Sequence, residues 1–137
     1  MSKIILFHYT FSQNLESIID HGLRPSLASN GDAQWGDGQY FTDLSPDEIA
    51  QKTRYHVSYA LFKTPWMWGG QPPLPPIGWL EVSLDAGAIQ RVAPLFGKQF
   101  KQRSIFLLEN TKIFNVNLVL NRIGGPLAFQ SSPSGHQ

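Results

Sequence analysis

A chain of 137 residues, 42% hydrophobic and 15% charged, with 9 Phe, 4 Trp and 4 Tyr, carries enough apolar material for one packed domain and too much for a disordered segment. Its 11 basic and 10 acidic side chains leave a formal charge of +1, so no overall field draws nucleic acid or a membrane surface. Cysteine is absent, which excludes disulfides, thiolate metal ligands and a cysteine nucleophile.

The chain opens with "MSKIILFHYT". Its apolar run is too short for a signal-peptide core, and no later run reaches the length of a membrane span. A soluble chain without an export signal of its own is expected. The β-branched and aromatic run "KIILFHYT" predicts a first strand ending near Tyr9, with Ile4, Leu6 and His8 on one face. In "SQNLESIIDHGLRPS", Ser12 stands as N-cap, Leu15, Ile18 and Ile19 recur at helical spacing, and Gly22 closes the helix before Pro25. Residues 26–38 are polar and glycine-rich around a single Trp35 and read as a long loop. "QYFTDL" is a second short strand, after which "SPDEIAQKTRYHVSYALF" reads as one helix. That helix has Ser45 as N-cap, Pro46 in its first turn and Glu48 completing a capping box.

Pro65 stops this helix, and "PWMWGGQPPLPPIG" suits neither helix nor central strand, so an ordered loop or flap is expected there. Four β-like runs follow, "GWLEVSLD", "IQRVAPLF", "SIFLLEN" and "KIFNVNLVL", and "GGPLAFQSSPSGHQ" reads as a frayed tail. Two main helices among about six short strands give an α+β domain over residues 1–125, with 126–137 as a flexible tail.

Polar residues at strand ends beside glycines carry the chemistry: His8, Tyr9 and Thr10, then Gly38, Gln39 and Tyr40. A strand with His-Tyr-Thr, a helix ending in Gly-Leu-x-Pro-Ser, a glycine-rich loop and "GQYFTD" before a helix with a central tyrosine resemble the ADP-ribosyltransferase superfamily. The likeness is to its histidine-tyrosine branch, the diphtheria-toxin-like and poly(ADP-ribose) polymerase-like enzymes, and within it to the HYD-type toxin domains. It covers about the first 60 residues, and several elements agree in order.

The resemblance implies a split β-sandwich that takes NAD as substrate and needs no metal. His8 would then bond the adenosine-side ribose, the Tyr9 backbone would hold the nicotinamide carboxamide, and Tyr40 would stack on the nicotinamide ring. Gly36 and Gly38 would let the backbone pass close to NAD, and Tyr55 matches the second tyrosine that sandwiches the ring in polymerase-like members. Family members place a carboxylate or amide at the start of a late strand; Gln102 is nearest in position here, and Asp43 is the alternative. Glu81, Asp85 and Glu109 follow behind. NAD cleavage passes through a cationic, oxocarbenium-like transition state, which such groups would grip and stabilise.

The expected activity is transfer of ADP-ribose from NAD to an unknown acceptor, which could be protein, nucleic acid or small molecule. An immunity protein is a possible partner, and the chain would act in the cytoplasm or as a delivered effector or toxin domain. NAD hydrolysis on the same site, a 2′-phosphotransferase-like relative, and an inactive NAD- or ADP-ribose-binding module are the alternatives. Plainer readings stand beside these. Tyr40 could fill core, Tyr55 and Tyr59 could be a packing pair, Trp66, Trp68 and Trp79 could seal core, and Lys98, Lys101 and Arg103 could be a solvated turn. His21, His56 and His136 share no ligand spacing with His8, so no zinc site is expected.

Overall fold

A computed structural model describes residues 2–31, 34–62, 75–100 and 102–130. Six strands form one antiparallel sheet, β1 (Lys3–Phe11), β2 (Gly38–Thr42), β3 (Ile77–Asp85), β4 (Gln90–Pro94), β5 (Ser104–Glu109) and β6 (Leu120–Gly124), in the order β4-β5-β2-β1-β3-β6. Among the described residues the helices are α1 (Leu15–His21), α2 (Pro46–Ile49) and α3 (Arg54–Phe62), with short 3₁₀ turns between elements. None of them is long and apolar enough to cross a membrane.

The run "IILFHY" has little polar alternation because β1 is covered on both sides. Leu6 packs with Ile18, Leu23, Phe41, Leu80, Val82 and Val116 on one face. Phe7 and Tyr9 pack with Leu44, Ile49, Val57, Ala60, Ile77 and Phe100 on the other. Leu6 and Leu80 are fully buried, and each contributes about 1.5–3 kcal/mol by leaving water.

The sheet is not uniform. β1 pairs with β3 over its whole length, from Lys3↔Asp85 to Phe11↔Ile77, and β2 pairs with β5 from Gly38↔Glu109 to Thr42↔Ile105. Between β1 and β2 the register is Phe7↔Thr42 alone. Two antiparallel halves, β4-β5-β2 and β1-β3-β6, therefore meet at one seam and part beyond it. Gly38 fixes one side of the parting. A Cβ there would lie 2.1 Å from the Leu108 carbonyl oxygen, and its φ of +153° suits glycine, so its lack of a side chain serves the approach of β5.

Several expectations change. β1 runs on to Phe11, because the residues after Tyr9 still pair with β3. Ser12 caps nothing; it begins a 3₁₀ turn, its N–H donates to the Pro76 carbonyl to lengthen the β1–β3 ladder, and its buried hydroxyl has no hydrogen-bond partner among the described residues. The capping box of Ser45 and Glu48 forms as expected. The helix behind it breaks, however, into α2 and α3. Gln130 N–H donates to the Lys52 carbonyl and Thr53 bridges to Gln130, so the backbone at the break bonds to the C-terminal segment. The Thr53 hydroxyl then meets His56 Nδ1 at 2.8 Å in the first turn of α3.

"KIFNVNLVL" is not a strand. Phe114 bridges to Leu23, Asn115 caps a 3₁₀ turn over Val116–Leu118, and β6 starts only at Leu120. Residues 63–74, which hold most of the proline- and tryptophan-rich stretch, and residues 131–137 lie outside the described residues. Leu127 and Phe129 pack against the core, and Arg54 lies 5.4 Å over the Phe129 ring.

Candidate active site

A cavity of about 420 Å³ opens where the two halves of the sheet part. Its lining includes His8 and Tyr9 from β1, Tyr40, Phe41 and Thr42 from β2, Leu61 and Phe62 from α3, and Ser26, Gln34 and Trp35 from the long loop. The size falls in the range of about 300–1,000 Å³ typical of ligand pockets.

Backbone alternation explains which groups face the parting. Ser12 N–H donates to Pro76 O, and Ala86 N–H donates to Ser2 O. Within the unbroken β1–β3 register, even-numbered residues of β1 thus turn their amides and carbonyls to β3, and Phe7, Tyr9 and Phe11 turn theirs toward β2. On β2 the edge toward β1 is shared by Gly38, Tyr40 and Thr42. Gly38 exchanges both backbone hydrogen bonds with Ser26, Thr42 meets Phe7, and the Tyr40 carbonyl takes the His8 ring.

That last contact, 2.9 Å from His8 Nδ1 to Tyr40 O, sets the state of the imidazole. A carbonyl only accepts, so Nδ1 carries the proton and Nε2 of the neutral ring carries a lone pair. Burial lowers the His8 pKa, and the hydrogen bond to Tyr40 offsets this in part, so the neutral form prevails near pH 7. The ring also stands edge-on to Phe41 at 5.9 Å.

Tyr9 lines the cavity and is buried in the core cluster. The hydroxyl donates to the Leu44 carbonyl at 2.6 Å. Burial, with the charges of Glu48 and Asp47, raises its pKa so far that it stays a donor. Tyr40 is half-buried, and its hydroxyl donates to Gly36 O at 2.5 Å and accepts from Trp35 N–H at 3.2 Å. The tyrosine thereby fastens the loop that precedes its own strand.

The other sequence candidates stand elsewhere. Thr10 accepts from Asn14 Nδ2 at 3.2 Å and is not in the lining. The Gln39 side chain is buried away from the cavity, where it donates to the Leu23 and Lys112 carbonyls and accepts from Asn110. Gly38 is occupied by Ser26 and β5. Asp43 and Gln102 converge on the start of β5, one residue or more beyond Thr42 and Ile105 of the lining. Asp43 Oδ1 accepts from Ser104 N–H at 2.8 Å, with Arg103 at 4.0 Å from its other oxygen, and Gln102 is exposed. Glu81 pairs with Arg122 at 2.7 Å, Asp85 with Lys3 at 3.0 Å, and Glu109 ends β5 next to Gly38. The Tyr55 side chain lies outside the described residues. Of the basic cluster, Arg103 is tied to Glu48 at 2.9 Å. Among the described residues no His, Asp and Glu cluster gathers to hold a metal.

Trp35, Ser26 and the α3 pair Leu61 and Phe62 are lining residues that sequence reasoning passes over. For Trp35 a signal exists: a large aromatic in a polar, glycine-rich loop has no local apolar partners and so needs a distant one.

Comparison with known proteins gives a family match. Residues 6–69 match the family described as HYD1 signature containing ADP-ribosyltransferase. That stretch spans β1 through α3, which carry His8, Tyr9 and Tyr40. No curated protein and no solved structure gives a match.

Proposed function

We propose that this chain, whose residues 6–69 carry the HYD1 signature of an ADP-ribosyltransferase, takes its ADP-ribose from NAD and acts as a toxin or effector domain. One observation carries the reading: where β1 and β2 part, a cavity opens that is lined by His8, Tyr9 and Tyr40.

The chemistry fits those groups. The bond from ribose C1′ to the nicotinamide nitrogen breaks, and nicotinamide leaves with the electron pair. The cationic C1′ is captured by an acceptor nucleophile, which gives up its proton; if water is the acceptor, the result is hydrolysis. His8 Nε2 accepts a hydrogen bond from a ribose hydroxyl, since the Tyr40 carbonyl holds the proton on Nδ1. The Tyr9 amide and carbonyl, turned into the parting, match the carbonyl and amine of a carboxamide, and such buried backbone groups need partners. Tyr40 supplies a ring face beside them. The start of β5, with Gln102 and the Asp43 anchor, provides the third position. The engagement of the Asp43 carboxylate by Ser104 and Arg103 favours, as second reading, a module that binds NAD or ADP-ribose without turnover.

The test is incubation of the purified chain with NAD labelled in its adenylate part, with and without cell lysate. Transfer gives free nicotinamide and label on a lysate component. Hydrolysis gives nicotinamide and free ADP-ribose, and the inactive module gives calorimetric binding alone. The absence of both nicotinamide release and binding would end the NAD reading.

A further inference from the structure

The segment that follows β6 is fixed at both ends. It leaves the strand at Gly125, whose φ of +126° suits glycine and where a Cβ would lie 2.7 Å from the Gly78 Cα, so the backbone crosses close over the start of β3. Leu127 N–H then donates to the Ile77 carbonyl at 2.8 Å, and Gln130 N–H donates to the Lys52 carbonyl at 2.8 Å, where Thr53 and Gln130 pair as a parallel bridge. Between these bonds the side chains alternate. Leu127 and Phe129 are half-buried, and Pro126, Ala128 and Gln130 are exposed, the pattern of an extended stretch with one face on a core. The Arg54 guanidinium, in the first turn of α3, lies 5.4 Å over the Phe129 ring.

These contacts converge on the beginning of a helix whose end lines the cavity. Lys52 and Thr53 precede α3, while Ala60, Leu61 and Phe62 close it and stand in the cavity wall. Its 9 residues span about 13 Å, too short a helix to be stable without tertiary support. So short a helix moves as one body, and what seats its first turn also seats its last. Leu61, Phe62, Leu127 and Phe129 pack against the same core cluster, and Phe62 meets the Phe11 ring of β1 at 5.5 Å.

We propose that residues 126–130 are a strap that positions α3 for the ligand, with Phe129 and the Gln130 amide as its positioning groups. Neither residue is in the cavity lining. They act through Ala60, Leu61 and Phe62 on the affinity for NAD, and the proposal rests on the NAD reading above. Linkage makes the effect reciprocal: NAD in the cavity tightens the strap by as much as the strap tightens NAD.

The experiment is calorimetric binding of NAD to the full chain and to Phe129→Ala, Phe129→Leu and Gln130→Pro, each held well below its melting temperature so that only folded chain is read. Deuterium exchange at the Leu127 and Gln130 amides of the parent, with and without NAD, accompanies it. Phe129→Ala is expected to weaken NAD binding by about fivefold or more, the scale of coupling between sites. Phe129→Leu keeps an apolar side chain against the cluster and recovers most of that loss. Gln130→Pro, which cannot donate to Lys52, weakens binding as well. In the parent, NAD slows exchange at both amides, because a tightened strap opens less often. Parent-like affinity in folded Phe129→Ala and Gln130→Pro overturns the proposal, even where both melt earlier, and parent-like affinity in Gln130→Pro alone overturns the role of that amide. Exchange indifferent to bound NAD also overturns it, and that result requires no variant to fold. A parent chain that binds no NAD overturns the NAD reading and the role of the strap with it.

Discussion

His8 meets the Tyr40 carbonyl, not a carboxylate, and burial disfavours its charged form, so its pKa lies below the ordinary 6.5. Between the lowered value and 6.5 the unfolded chain binds a proton that the folded chain does not, and stability rises with pH across that window. The contribution is complete above 6.5 and is lost as pH falls through the folded value. The same protonation removes the Nε2 lone pair, so the acid limb of NAD turnover should lie below 6.5, as a pH–rate profile would show. His8→Ala should lower turnover by more than about tenfold in the folded fraction and, because it leaves the Tyr40 carbonyl without its donor, cost about 1–3 kcal/mol in stability. Collapse of the fold in that variant would instead make His8 a structural residue. Tyr9 is the opposite case. Its hydroxyl serves Leu44 and its backbone serves the cavity. Tyr9→Phe should therefore cost about 1–3 kcal/mol in urea unfolding, by leaving a buried carbonyl without its donor, while the Michaelis constant for NAD stays as it was.

At the scale of elements, the start of β5 is where strands and helix are tied together. Thr42 Oγ1 donates to Ser104 O at 2.8 Å, Arg91 Nε to Ser104 Oγ at 2.6 Å, and Arg103 Nε to Glu48 Oε2 at 2.9 Å, so β2, β4 and the capping box of α2 all meet there. Asp43 joins this junction through Ser104 N–H. Its carboxylate accepts that bond and faces Arg103 at 4.0 Å. Asp43→Ala should lower stability by about 1–3 kcal/mol by exposing an unpaired amide, and turnover should fall with it. Asp43→Asn keeps an acceptor for Ser104 and should restore both. An asparagine variant that is stable but more than about tenfold slower would show that the negative charge itself acts on the reacting sugar.

Over the whole molecule, what could be read in the sequence divides by the range of the interaction. The capping box reads directly because Ser45 and Glu48 satisfy each other. β1 and β2 read from their apolar runs, and His8 and Tyr40 from their order. The break before α3 does not read, since the backbone there bonds to Gln130, far along the chain. "KIFNVNLVL" misleads because its alternation suits a strand while Asn115 caps a turn within it. Gln39 looks like a site residue beside Tyr40, yet its amide is committed to Leu23 and Lys112, partners no local pattern links to it. The Tyr40 hydroxyl and the Trp35 amide are close in sequence, but their hydrogen bond is a property of the folded chain. The seam at Phe7 and Thr42 is likewise a property of the folded sheet. Amides well inside a continuous ladder exchange with solvent slowly, because releasing one means opening its neighbours as well. An isolated junction has no such neighbours. The amides of Phe7 and Thr42 should then take up deuterium faster than those of Leu6 and Leu80, though both strands lie at the centre of the sheet. A molecule seated across the parting would slow them first, so their exchange rates report occupancy without any turnover.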